Sequence, residues 1–206
     1  MPNKNRVFAG MLVALAMLTG PAMASSSVDL SNPAFAPTTG PTSIPIGAAE
    51  FCKAHREDCG PSTGLADVEA LTESNWRQLV SINEAINTSV APVTDQDLYR
   101  VTEFWTYPSG SGDCEDYALE KRRQLIANGW SPSALLMTVV RQQNGEGHAV
   151  LMVRTDRGDL VLDNQIGEIL VWKDTSYQFV KRQSQTDSRK WVGIDDTRIV
   201  TASVRR

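Results

Sequence analysis

The chain has 206 residues, 41% of them apolar and 21% charged, and a net charge of −4. That composition suits a globular domain with a real core and argues against a disordered chain. An acidic balance without a basic run also argues against nucleic-acid binding.

Residues 1–24 read as a secretory leader. Lys4 and Arg6 give a positive start, Val7 to Leu18 is apolar with only Gly10 interrupting, and Ala22-Met23-Ala24 is a small-x-small cleavage site. The apolar run falls short of the roughly 20 residues a spanning helix needs. A buried core helix is the alternative, but it would not require this order of charge, apolar run and small residues. The expectation is an exported chain without a membrane anchor, acting in the periplasm or outside the cell. Residues 25–46 are rich in Pro, Ser and Thr and read as an extended or disordered lead. The domain is expected over 47–206.

The chain contains three cysteines, Cys52, Cys59 and Cys114. Export implies an oxidising compartment, where paired cysteines are bridged. Cys52 and Cys59 lie close together and are followed by the turn-prone Gly60-Pro61, so a local disulfide is the natural pairing. Cys114 is then left over. An unpaired thiol in an exported chain is a buried small residue, half of an intermolecular bridge, or a nucleophile.

Apolar or aromatic residues at Trp76, Leu79, Ile82, Ile86 and Val90 predict a helix over 73–90. Residues 96–105 read as a continuing helix. A flexible Gly-Ser-Gly turn precedes Cys114, and a third helix follows, with Tyr117, Ala118 and Leu125 on the face of Cys114 and Asn128-Gly129 as its stop. Acids crowd its first turn, as the helix dipole favours. Cys114 therefore sits at a helix N-terminus, where free N–H groups stabilise a thiolate.

A nucleophilic cysteine needs a base, and the only histidines are His55 and His148. His55 lies in the polar stretch between Cys52 and Cys59 and reads as a solvated loop residue. His148 follows a Gly turn and opens an apolar strand. Asp163 closes the next apolar run, after the turn Asp156-Arg157-Gly158-Asp159. A hairpin of 148–155 and 159–163 brings His148 and Asp163 together. There the carboxylate can orient the imidazole, as in a nucleophile–base–acid triad. The bland alternatives are a structural histidine and an acid that caps its strand. Further strands are expected near 134–142, 168–172, 176–184 and 191–195. Helices first and an antiparallel sheet after make an α+β fold.

Three motifs carry a resemblance. Gly112-Asp-Cys-Glu-Asp-Tyr-Ala-Leu-x-Lys121, Gly145-Glu-Gly-His-Ala-Val-Leu151 and Arg154-Thr-Asp-Arg-Gly-Asp-Leu-Val-Leu-Asp-Asn164 are similar to those of the bacterial transglutaminase-like cysteine proteinases. The resemblance extends to Phe51-Cys52-x6-Cys59, to Trp76, Asn83 and Asn87, to Asp97-x-Tyr99-x3-Glu103-x-Trp105, and downstream to Phe179 and Trp191. It implies a papain/transglutaminase-like fold and a cysteine endopeptidase with Cys114 as nucleophile, His148 as base and Asp163 as orienting acid. It also implies an exported or surface protein as substrate, such as an adhesin, and an inner-membrane regulatory receptor as partner. A transglutaminase or amidase would share the triad, and a binding module could use the fold as a scaffold. Asp113, Glu115 and Asp116 flank Cys114. They are either helix-start acids or, as the resemblance implies, calcium ligands. Three carboxylates would oppose ionisation of the thiol, and a hard divalent cation would relieve that.

Overall fold

The computed structural model describes residues 28–62 and 68–198, and the leader expected over 1–24 lies outside them. The first strand, β1 (Thr38–Thr42), leads to helix α1 (Ile46–Ala54). Helix α2 (Glu73–Ser89) follows. The Thr72 hydroxyl caps its start by accepting the Asn75 N–H at 3.1 Å. Leu79, Ile82, Asn83 and Ile86 form its buried face, the spacing that a helix lying on a core requires. Next come β2 (Ala91–Pro92), the single-turn helix α3 (Asp95–Leu98) and β3 (Ser111–Gly112). Helix α4 (Cys114–Ala127) begins at the cysteine. It ends at Asn128-Gly129, where Gly129 takes the left-handed conformation, φ 94°. Strands β4 (Leu135–Arg141), β5 (Gly147–Thr155), β6 (Gly158–Leu162), β7 (Leu170–Val171), β8 (Gln178–Gln183) and β9 (Trp191–Ile194) follow.

Seven strands form one sheet in the order β1-β9-β8-β4-β5-β6-β7, each pair antiparallel. β4 and β6 are buried along nearly their whole length, as is β5 beyond Gly147. Their unbroken apolar runs thus belong to strands covered on both faces. Helix α4 packs against β4 and β5 and against α2. The Arg122 guanidinium donates to the Leu135 carbonyl at 3.0 Å, and the Tyr117 hydroxyl donates to the Val90 carbonyl at 2.5 Å. The helices and the antiparallel sheet make the fold α+β, as expected.

Three expectations need correction. The sheet begins inside the lead, at Thr38, so a domain starting at 47 is cut too late. The lead is also latched to the hairpin: the Ala36 N–H donates to the buried Asp159 carboxylate at 2.7 Å, and the Asp159 N–H donates to the Ala34 carbonyl. The helix expected over 96–105 stops at Leu98, because Arg100 adopts φ 63° and Asp95 takes the Phe104 N–H. Helix α4 buries more than one face: every residue from Glu115 to Arg122 is enclosed, including Glu120, Lys121 and Arg122.

Cys52 and Cys59 are bonded, and Cys114 is free. Thiol titration of the oxidised, denatured protein should count one thiol. Replacing both Cys52 and Cys59 by Ser should lower unfolding stability in urea by about 2 kcal/mol, the value for so short a loop. A loss near zero would mean that the bridge constrains nothing in the unfolded chain.

Candidate active site

Three segments meet at one end of the sheet. The β5–β6 ladder pairs Thr155 with Gly158 and Leu151 with Leu162, and there it stops. Asp163, the next residue, leaves the sheet and turns its carboxylate back to the first buried residue of β5. His148 Nε2 and Asp163 Oδ1 lie 2.8 Å apart, with both side chains almost fully buried. The loop after Asp163 is held from α2: the Asn87 amide donates to the Asp163 carbonyl at 2.8 Å, and the Asn83 amide to the Gly167 carbonyl at 3.0 Å. The two asparagines are one helical turn apart, so a single face of α2 grips the loop.

The Asp163 carboxylate is fully engaged. Oδ1 also accepts the Gln165 N–H at 3.0 Å, and Oδ2 accepts the Tyr177 hydroxyl at 2.5 Å. Burial alone would raise its pKa. The hydrogen bonds from His148, Tyr177 and Gln165 outweigh this and hold the carboxyl below the usual carboxylate range. With Nε2 on Asp163, Nδ1 is the ring nitrogen left for chemistry, and the Gln165 amide lies 3.4 Å from it.

Cys114 and His148 line one open cleft of about 470 Å³ with Glu103, Trp105 and Glu115. The cysteine is the first residue of α4, so its own N–H is free of the helix ladder. The Ala149 N–H, next to His148, points at the sulfur from 3.4 Å. The thiol itself donates to Glu115 Oε2 at 3.0 Å. Burial, with the Glu115 charge and hydrogen bond, pushes the thiol pKa well up. Burial and the Asp113 charge push Glu115 up to about 8.

The acids around Cys114 divide. Asp113 and Asp116 do come together, but their third partner is Asp95, not Glu115. One oxygen from each of the three lies within 4.8 Å of the others. Among the described residues, Asp95 Oδ1, Asp113 Oδ1 and Asp116 Oδ2 are buried without a hydrogen-bond partner. Burial pushes Asp116 up to about 7 and raises Asp95 as well. Three carboxylates in one small space fit a hard divalent cation, and Glu115, expected to join Asp113 and Asp116, takes the Cys114 thiol hydrogen bond. Asp95 gave no signal in the sequence beyond a helix start, Thr94-Asp-Gln-Asp. Among the described residues a second cluster, His55, Glu57 and Asp58, lies beside the disulfide. His55 is not simply solvated: it stacks on Phe51 at 4.5 Å and packs edge-on to Tyr107. It lies outside the cleft of Cys114.

Residues 38–199 match the family model described as bacterial transglutaminase-like cysteine proteinase, BTLCP. No curated protein matches the chain. Among solved structures, Legionella pneumophila LapG is similar at 24% identity and TM-score 0.48, over 59% of this chain and 70% of that one. The calcium-bound form of the same protein aligns at 19% identity and TM-score 0.49, over 77% and 93%. Its EGTA-treated form aligns at 19% and TM-score 0.47, over 77% and 92%.

Gly112 shows how tightly the segment before Cys114 is packed. A Cβ there would lie 2.5 Å from Asp116 Oδ2 and 2.8 Å from Asp116 Cβ. Gly112→Ala should therefore displace the first turn of α4 and cost about 2 kcal/mol in urea unfolding. An unchanged midpoint would show that Asp116 is free to move.

Proposed function

We propose that this chain, which belongs to the bacterial transglutaminase-like cysteine proteinases, is an exported endopeptidase that cuts an exported or surface protein by Cys114-His148-Asp163 acyl transfer. The observation that supports this most is the buried His148–Asp163 hydrogen bond opening onto the cleft of Cys114. The Cys114 thiolate attacks the scissile carbonyl. His148, through Nδ1, accepts the thiol proton and passes it to the leaving amine, and water then hydrolyses the thioester. Asp163 keeps the proton on Nε2 and stabilises the imidazolium. The Cys114 N–H at the helix start donates to the developing oxyanion. Asp95, Asp113 and Asp116 would hold calcium, whose charge would offset the acids crowding the thiol. By the resemblance in its motifs, a surface adhesin is the first substrate to test and an inner-membrane receptor the first regulator. The leader over 1–24 and the Cys52–Cys59 bridge support a periplasmic site of action.

Surface proteins should be compared between cells carrying the intact protein and cells carrying Cys114→Ala. At least one should stay uncleaved in the variant, and identical profiles would sink the endopeptidase reading. On that substrate His148→Ala should also abolish turnover. Asp163→Asn should be about tenfold to a hundredfold less severe, because it disturbs orientation and removes no reacting atom.

Calcium can be tested separately by thermal unfolding. A ligand bound only to the folded state, at a hundred times its dissociation constant, stabilises by about 2.7 kcal/mol. In a chain of this size that raises Tm by about 5 °C or more. Calcium should produce that rise, EGTA should reverse it, and Asp95→Asn should remove it. A rise that persists in Asp95→Asn would place the ion elsewhere.

A further inference from the structure

The Asp163 carboxylate has two oxygens, and a carboxylate free to rotate about its side chain could offer either one to His148. Oδ1 carries the His148 and Gln165 contacts. Among the described residues, Oδ2 is held by Tyr177 alone, through a charge-assisted hydrogen bond of 2.5 Å. The Tyr177 ring also lies against the imidazole, with centroids 5.4 Å apart and planes tilted by 49°. The tyrosine is buried and stands just before β8, on a segment that neither carries the histidine nor follows the acid. One side chain thus locks the rotation of the acid and walls the base.

We infer that Tyr177 is a positioning residue for the reaction: it fixes which Asp163 oxygen faces His148 and confines the imidazole plane. This rests on the triad reading. The charged or titratable groups facing Asp163 are His148 from β5, Tyr177 from the segment before β8 and Lys121 from α4. The tyrosine removes no proton from substrate. Its donation shares the carboxylate charge and keeps Asp163 in one orientation as the imidazole gains and loses its proton. Loss of the hydroxyl leaves the ring in place but frees Oδ2. The acid can then turn, and the fraction of time that the imidazole is aligned toward Cys114 falls.

The test needs no identified substrate. Alkylation of Cys114 by iodoacetamide, followed across pH, reports the thiolate that the base makes available. Tyr177→Phe should slow alkylation about tenfold near neutral pH, with near-ultraviolet circular dichroism unchanged. Because the hydroxyl acts through Asp163, Tyr177→Phe added to Asp163→Asn should slow the reaction no further than Asp163→Asn alone. A Tyr177→Phe rate equal to that of the intact protein overturns the inference and leaves the triad standing. So does a full additional loss on top of Asp163→Asn, which would mark a role independent of the acid. Should His148→Ala alkylate as fast as the intact protein, the triad reading fails and the inference falls with it. Asp163→Asn is compared by circular dichroism as well, and Asp163→Glu serves in the cycle if the amide variant does not fold.

Discussion

A buried carboxylate must find donors or give up its charge, and Asp163 is buried at the end of β6 with all its oxygens engaged. The imidazole of His148, the N–H of Gln165 and the hydroxyl of Tyr177 satisfy the side chain, while Asn87 takes the main-chain carbonyl. Those donors come from β5, the loop after β6, the segment before β8 and helix α2. The network therefore dictates much of the local architecture. β6 has to end at Leu162 so that the next residue can leave the ladder. Helix α2 has to present Asn83 and Asn87 on one face, and the chain before β8 has to return to the histidine. A shift of any of these by one residue would strand a charge in the interior.

The other flank of Cys114 is built on the opposite principle. Among the described residues, Asp95, Asp113 and Asp116 each leave an oxygen without a donor, and burial raises the carboxyls of Asp95 and Asp116. Such an arrangement costs stability, so it persists where something else over-determines it. Here Asp116 accepts the Thr106 N–H at 2.9 Å, Asp113 accepts the Asp95 N–H at 3.1 Å, and Asp95 takes the Phe104 N–H. The same three acids thus order the irregular stretch from α3 to β3 while leaving one oxygen apiece without a hydrogen bond among the described residues. The sulfur stands between the satisfied network and the unsatisfied one.

Much of this was legible in the sequence, for reasons that differ by element. The apolar period placed α2, and the unbroken apolar runs placed β4, β5 and β6, because burial selects side chains at those positions. The pairing of His148 with Asp163 was legible because a hairpin turns a short sequence separation into proximity. β1 was missed because an edge strand of Thr, Gly and Pro has no apolar rhythm and is held by backbone bonds to β9. Asp95 was missed because its separation from Asp113 is bridged only by the folded loop, and a helix start already explains an acid there. Tyr177 was missed because an aromatic residue within an expected strand, 176–184, reads as core, whereas β8 starts only at Gln178.

Helix α4 explains why the two flanks coexist. Its N-terminus carries the acids, where the dipole favours negative charge. Farther along it buries Lys121, whose pKa falls to about 7 through burial, with Asp163 as the charge that opposes the fall. A cation buried behind the orienting acid is costly on its own, and so is the acid. The Asp163 charge offsets part of the cost of burying the lysine. The helix thus presents its cysteine to the cleft at one end and, two turns later, buries a lysine that interacts with the acid serving the histidine. Moving the cysteine along the helix would cost it the free N–H of the first residue, which only the helix start provides.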